Sequence, residues 1–188
     1  MRALFLSLFL ITVGSASATT QNLPTALFAG GCFWCMESDF EKLEGVVDVV
    51  SGFTGGSHPD PTYRGDHEGH YEAVLITYDP SKIDYQALLD HYWVNIDPFD
   101  DGGQFCDKGH EYRAAIFVAD DAESAAAEAS KQAVVNEFGD QTVVTQILPR
   151  ETFFPIKGKE SYHQDYYKNY PVRYKFYRYS CGRDQRLA

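Results

Sequence analysis

Eight residues constrain this chain more than any others: Gly30-Gly31-Cys32-Phe33-Trp34-Cys35-Met36-Glu37. The apolar run at 26–29 precedes them and an amphipathic stretch at 37–43 follows, so the pattern predicts a strand that hands over to a helix at Cys32. A thiol placed there faces the unpaired N–H groups of the first helical turn and the positive end of the helix dipole. Both favour thiolate over thiol near neutral pH. The two glycines allow a tight turn and leave the sulfur accessible. Phe33 and Trp34 can wall an apolar pocket over it, which suits an apolar or sulfur-bearing substrate.

The chain has 188 residues, and its first eighteen have the form of a secretory signal: Arg2, an apolar run at 3–13, then Ala16-Ser17-Ala18 as a cleavage site. A mature domain over 19–188 is expected, exported to a periplasm or secreted. The apolar run is too short to span a bilayer, so no membrane anchor is expected in the mature form. Formal charge is −11, which disfavours nucleic acid as a partner because phosphate binding relies on clustered Lys and Arg. A monomer is expected.

Patterning along the chain gives β-α-β-β-α-β-α-β. Strands are expected at 45–53 and 71–78, a helix capped by Asp84 at 84–94, and a long Gly- and Asp-rich loop at 97–111. A strand at 113–119, a helix at 120–138, a strand at 142–148 and a short helix at 160–168 complete the order. Single strands alternating with helices, with one β-β step, point to an α+β two-layer sandwich: a ferredoxin-like plait with helices over a mixed sheet. The Tyr-rich end is expected to be an irregular tail wrapping the domain.

Several further segments, taken in order, complete a pattern with the octet: Gly52-Phe53-Thr54-Gly55-Gly56, Pro61-Thr62-Tyr63, Gly69-His70-Tyr71-Glu72-Ala73-Val74, Tyr78-Asp79-Pro80 and Asp107-Lys108-Gly109-His110-Glu111-Tyr112-Arg113. With them the sequence closely resembles the A-type peptide methionine sulfoxide reductases over nearly all of the mature chain. The resemblance implies that Cys32 attacks the sulfoxide sulfur of an oxidised methionine, in a protein or free, of the S epimer only. It implies that Glu72 protonates the departing oxygen and that Tyr63 and Tyr112 donate hydrogen bonds to it. Phe33 and Trp34 would receive the S-methyl group, and Asp107 the substrate backbone. The chemistry requires a nucleophilic sulfur together with a neutral acid, because a sulfoxide sulfur becomes electrophilic only as its oxygen is protonated. Desolvation and a like charge nearby keep such a carboxyl protonated.

Attack leaves Cys32 as a sulfenic acid, which a second thiol condenses to a disulfide for an external, thioredoxin-like dithiol to reduce. No bound cofactor and no metal are expected. Cys35, Cys181 and Cys106 are all candidates for the second thiol: Cys35 by proximity, Cys181 by its place in a terminal segment, Cys106 by adjoining Asp107. Two structural disulfides would be the ordinary content of an exported chain with four cysteines. Two other functions compete: a thioredoxin-like disulfide oxidoreductase, whose Cys-x-x-Cys also opens a helix, and a non-catalytic binding module. The first lacks room before Cys32 for the strand and helix that usually precede the motif. His67 and His70 sit in a turn with no second ligand pair at regular spacing, which argues against a metal site.

Overall fold

The computed structural model describes residues 23–187; the expected signal segment at 1–18 lies outside them. The order runs β1 (Thr25–Gly30), α1 (Phe33–Phe40), β2 (Val46–Thr54), β3 (Tyr71–Tyr78), α2 (Tyr85–Trp93), β4 (Gly103–Gln104) and β5 (Asp107–Lys108). It continues with β6 (Ala114–Val118), α3 (Asp121–Phe138), β7 (Gln146–Pro149), β8 (Phe154–Pro155), α4 (Tyr166–Asn169), α5 (Pro171–Ser180) and α6 (Arg183–Leu187). Six strands form one sheet in the order β7-β6-β1-β3-β2-β8. Only β6 and β7 run parallel, so the sheet is mixed, as the sequence predicts.

Alternation along the strands decides what each face covers. Ala26 and Phe28 of β1, with Val74 and Ile76 of β3, point to the helix side and pack with Phe33, Met36 and Phe40 of α1 and Leu88, Leu89 and Tyr92 of α2. Leu27, Ala29, Ala73, Ala115 and Phe117 point to the other face, where Leu148 and Phe153 pack against them. Side chains two apart share a face because the strand period is two. Helix starts follow local chemistry: the Asp84 carboxylate accepts from the Ala87 N–H at 2.8 Å, and Asp120 accepts from Ala122 and Glu123.

The tail departs from expectation. It is helical rather than irregular, with α5 and α6 replacing the predicted coil. Pro171 at the first turn of α5 is preorganised for a helix, and Tyr174 is its buried anchor. These elements lie against the side of α1 turned away from the sheet, so α1 is buried almost all round. Its polar residues consequently need partners from the tail. Glu37 accepts from the Gln164 amide and the Asp165 N–H, both at 2.6 Å, and from the Ser51 hydroxyl at 2.8 Å. Asp39 pairs with Arg178 at 2.9 Å. α1 starts at Phe33 with Cys32 as its cap, where the sequence puts the handover from strand to helix; one boundary differs, β7 beginning at Gln146 rather than 142.

Candidate active site

β1 ends at Gly30, Gly31 takes a left-handed φ of 83°, and Cys32 caps α1. A side chain at Gly31 would collide with Gln104, and one at Gly30 with Met36 and Ile96. The two glycines therefore serve close packing as well as the turn. Cys32 and Cys35 are both free and both buried, and their thiols are hydrogen-bonded to each other. Cys35 sits at about 7, below the ordinary thiol value, first because of the bond from Cys32 and then because of the Arg183 and Arg178 cations, which outweigh its burial. Burial, followed by the Cys35 sulfur and the Glu72 charge, pushes Cys32 up instead. The two sulfurs titrate as one pair, and the first proton to leave it does so near neutral pH, at the helix start where the argument from sequence requires a thiolate.

Glu72 stands on β3, on the helix-facing side with Val74 and Ile76, directly opposite Phe53 of β2. It is 2% exposed, and burial raises its pKa well above the carboxylate range, with Asp107 and Glu111 adding to the rise. Its Oε2 accepts from the Phe33 N–H at 3.0 Å, which ties the acid to the first turn of α1. A neutral carboxyl holding that bond carries its hydrogen on Oε1.

Tyr63 reaches the site from the β2–β3 loop, which Glu160 fastens by accepting from the Tyr63 and Arg64 N–H groups at 2.7 and 3.0 Å. Tyr112 comes from the turn His110–Tyr112. Both phenols are pushed up by burial and then by the Glu72 charge, with Cys32 and Asp107 contributing further, so all five groups lie within electrostatic reach of one another. Both remain hydrogen-bond donors across the working pH range. Asp107 is half-buried and raised by burial; it accepts from the Tyr177 hydroxyl.

The aromatic wall is larger than the sequence suggests. Trp34 lies face to face on Tyr166, with centroids 3.8 Å apart and planes 7° apart. Its indole N–H donates to Nδ1 of His163 at 3.0 Å. His163 in turn lies against Tyr63, centroids 3.9 Å apart and planes tilted by 42°, and is held neutral, near 4, by burial. Phe33 lies in the core beneath, 5.9 Å from Phe53 and 6.0 Å from Tyr63. Tyr177 of α5 also hydrogen-bonds the Cys32 sulfur. His163, Tyr166 and Tyr177 are site residues that motif reasoning missed; the density of tyrosines in the tail was the only signal for them. The two turn histidines have structural roles: His70 accepts from the Gly56 N–H at 3.2 Å, and His67 hydrogen-bonds the Thr62 carbonyl at 2.9 Å.

The three candidate second thiols separate. Cys106 and Cys181 form a disulfide across 75 residues, while Cys35 stays a free thiol beside Cys32.

Comparison with known proteins bears on the same geometry. The family model described as peptide methionine sulfoxide reductase matches residues 24–188. Peptide methionine sulfoxide reductase MsrA 2 of Caulobacter vibrioides is 51% identical over 166 residues, covering 87% of this chain and 83% of that protein. Among solved structures, methionine sulfoxide reductase A of Corynebacterium diphtheriae superposes with a TM-score of 0.70 at 28% identity, covering 81% of this chain and 77% of its own. Reduced Mxr1 of Saccharomyces cerevisiae gives 0.71 at 25% identity, covering 84% and 91%; Mxr1 has also been solved in complex with Trx2, where the TM-score is 0.55 at 20% identity. A model matching almost the whole described chain and a relative identical at half its positions carry one conclusion: this chain belongs to the peptide methionine sulfoxide reductase family.

Proposed function

We propose that the protein reduces methionine S-sulfoxide, free or in oxidised proteins, with Cys32 as nucleophile and Cys35 as the thiol that resolves it. The observation that carries this is a thiol pair sharing one proton beside a buried, neutral Glu72 bonded to the same helix turn. Substrate enters with its methyl group against Phe33 and Trp34 and its oxygen toward Glu72, Tyr63 and Tyr112. Glu72 gives its proton to the oxygen as the Cys32 proton moves to the Cys35 sulfur and Cys32 attacks. The oxygen passes to Cys32, giving a sulfenic acid and methionine, and Glu72 takes back from solvent the one proton that the thiol pair had already released. Cys35 then attacks the Cys32 sulfur, water leaves and a Cys32–Cys35 disulfide forms. A dithiol protein of the thioredoxin type restores both thiols by exchange; the Mxr1–Trx2 complex supports that choice of partner. Asp107 accepts from the substrate backbone, a role that its hydrogen bond from Tyr177 supports by fixing the carboxylate.

We also propose export: the pattern of Arg2, the apolar run at 3–13 and Ala16-Ser17-Ala18 supports a signal cleaved after Ala18, leaving a monomeric domain in a periplasm or medium. Among the described residues no helix is long and apolar enough to cross a membrane. Fractionation with N-terminal sequencing tests the export; an uncleaved cytoplasmic chain refutes it. For the reaction, S- and R-sulfoxides of acetylated methionine amide are each incubated with dithiothreitol. Turnover of the S epimer alone, lost in Cys32→Ser, is expected. Reduction of insulin disulfides without sulfoxide turnover would make the protein a disulfide oxidoreductase instead.

A further inference from the structure

Cys181 is followed by Gly182 and Arg183, and this corner reaches the foundation of the active helix. α5 ends at Ser180, Gly182 takes a left-handed φ of 72°, and α6 begins on Arg183. The turn drives Arg183 inward until 1% of it is exposed. Its Nη2 donates to the Asn95 carbonyl at 2.5 Å and lies 3.7 Å from the Met36 sulfur, and its Nη1 donates to the Gly30 carbonyl at 3.4 Å. A cation from the last helix is thereby placed between the end of β1 and the helix that bears Cys32 and Cys35.

Three successive residues on the far side of the disulfide hold it there. The Phe105 ring covers the guanidinium at 4.6 Å, Cys106 is bonded to Cys181, and Asp107 bonds Tyr177. Phe105 has a φ of 53°, which a bulky side chain seldom adopts without tertiary restraint. Asp39, one turn beyond Cys35, is shared by Arg178 at 2.9 Å and Arg183 at 3.7 Å, with Lys42 reaching it from solvent at 3.2 Å. Arg178 also pairs with Asp184 at 2.6 Å, whereas Arg183 has Asp39 alone, at 3.7 Å; both guanidiniums favour a thiolate at Cys35 and Asp39 opposes it. The remaining titratable groups facing the thiol pair are Tyr174 and Tyr177 from α5, Glu72 from β3, Asp107 from β5, and Tyr63 and Tyr112 from the loops.

We propose that the Cys106–Cys181 disulfide is a latch that seats Arg183 under α1, where Arg183 acts as a positioning residue for the thiolate shared by Cys32 and Cys35. The inference rests on the reading that these two cysteines are the reacting pair. It also gives the second disulfide a task distinct from resolving the sulfenic acid.

The test is the pH dependence of iodoacetamide alkylation at Cys32 and Cys35, located by mass spectrometry on the folded chain. The midpoint expected for the parent is about 7. Arg183→Met moves it up by about one pH unit, a roughly tenfold slower alkylation below the midpoint, whereas Arg183→Lys keeps most of the parent value. Asp39→Asn moves it down, a direction that mere loosening of the fold does not produce. The double variant Cys106→Ser/Cys181→Ser moves it up with Arg183→Met. A folded Arg183→Met with the parent midpoint overturns the electrostatic role, and a double serine variant with the parent midpoint overturns the latch. If Arg183→Met does not fold, Asp39→Asn decides the electrostatic role by the same measurement, an unmoved midpoint overturning it. Sulfoxide turnover of the parent with dithiothreitol is scored separately, so failure of the proposed activity and failure of the latch are told apart.

Discussion

Replacing Glu72 by glutamine isolates the proton from everything else the residue does. The carboxyl is buried and its Oε2 accepts from the Phe33 N–H at 3.0 Å. A glutamine of the same shape keeps that bond through its carbonyl and places an NH₂ where the acid carried its hydrogen. The oxygen of the sulfoxide still receives a hydrogen bond, but no proton can follow. Proton transfer by a positioned acid contributes about 10²–10⁴ in rate, which is about 3–5 kcal/mol of barrier. Packing is unchanged, and a buried acid that is already neutral contributes no ion pair, so thermal stability is expected to stay within about 1 kcal/mol. The assay is a single turnover of the S-sulfoxide without reductant, quenched in acid, counting methionine formed per chain against time. A Glu72→Gln variant that reacts within threefold of the parent, with an unaltered melting temperature, refutes the assignment of Glu72 as the acid.

The phenols and the histidine make separate predictions. Tyr63→Phe and Tyr112→Phe each remove one donor to the developing oxygen charge, and each is expected to slow single turnover by about 10²-fold or somewhat less, since the other donor remains; a double variant no slower than either single one contradicts a shared oxygen site. His163 is kept neutral down to about 4 against an ordinary 6.5. Below 6.5 the unfolded chain therefore takes up a proton that the native protein refuses. Stability is full above about 6.5 and falls by up to about 3 kcal/mol as pH drops to about 4, and urea melts of His163→Phe should show a flatter profile over that window. Opening Cys106–Cys181 by the double serine change frees a 75-residue loop and is expected to cost about 4 kcal/mol, read by denaturant melts, while cycling with dithiol continues through Cys35. The pH profile of kcat/KM should rise with a midpoint of about 7, where the thiol pair gives up its proton; a flat profile from 5 to 9 contradicts the shared-thiolate account.

Much of the scaffold could be read before any coordinates. The strand at 71–78 that carries Glu72 and the helix capped by Asp84 stand where the sequence pattern puts them. Those are local rules, and local rules survive folding. The tail escaped them for a tertiary reason. Residues 171–180 interleave aromatic and charged side chains, which resembles no helical stripe, and their helix is held chiefly by what it covers: Tyr174 buried, Arg178 on Asp39, Tyr177 on Asp107 and the Cys32 sulfur. The α1 face that carries Glu37 and Asp39 reads from sequence as solvent-exposed, yet the tail buries it and supplies its partners. Cysteine pairing was likewise beyond sequence. Separation along the chain says nothing about which two sulfurs of four meet, and a 75-residue gap was bridged while a three-residue gap stayed reduced. The helix-start argument considers the N–H groups alone, whereas burial and two arginines brought in by the tail also act on the Cys32–Cys35 pair, and neither can be read from the motif.

The account stands or falls on where the oxygen goes and which sulfur then closes on Cys32. One equivalent of methionine S-sulfoxide added to the chain with Cys32 and Cys35 reduced, followed by acid trapping and peptide mapping, should yield one methionine per chain, a new Cys32–Cys35 disulfide and an unchanged Cys106–Cys181 bond. With Cys35→Ser the same experiment should leave Cys32 trappable as a sulfenic acid by dimedone. A bond from Cys32 to Cys106 or Cys181 in the parent, or methionine formed with no change at Cys32, would contradict the account.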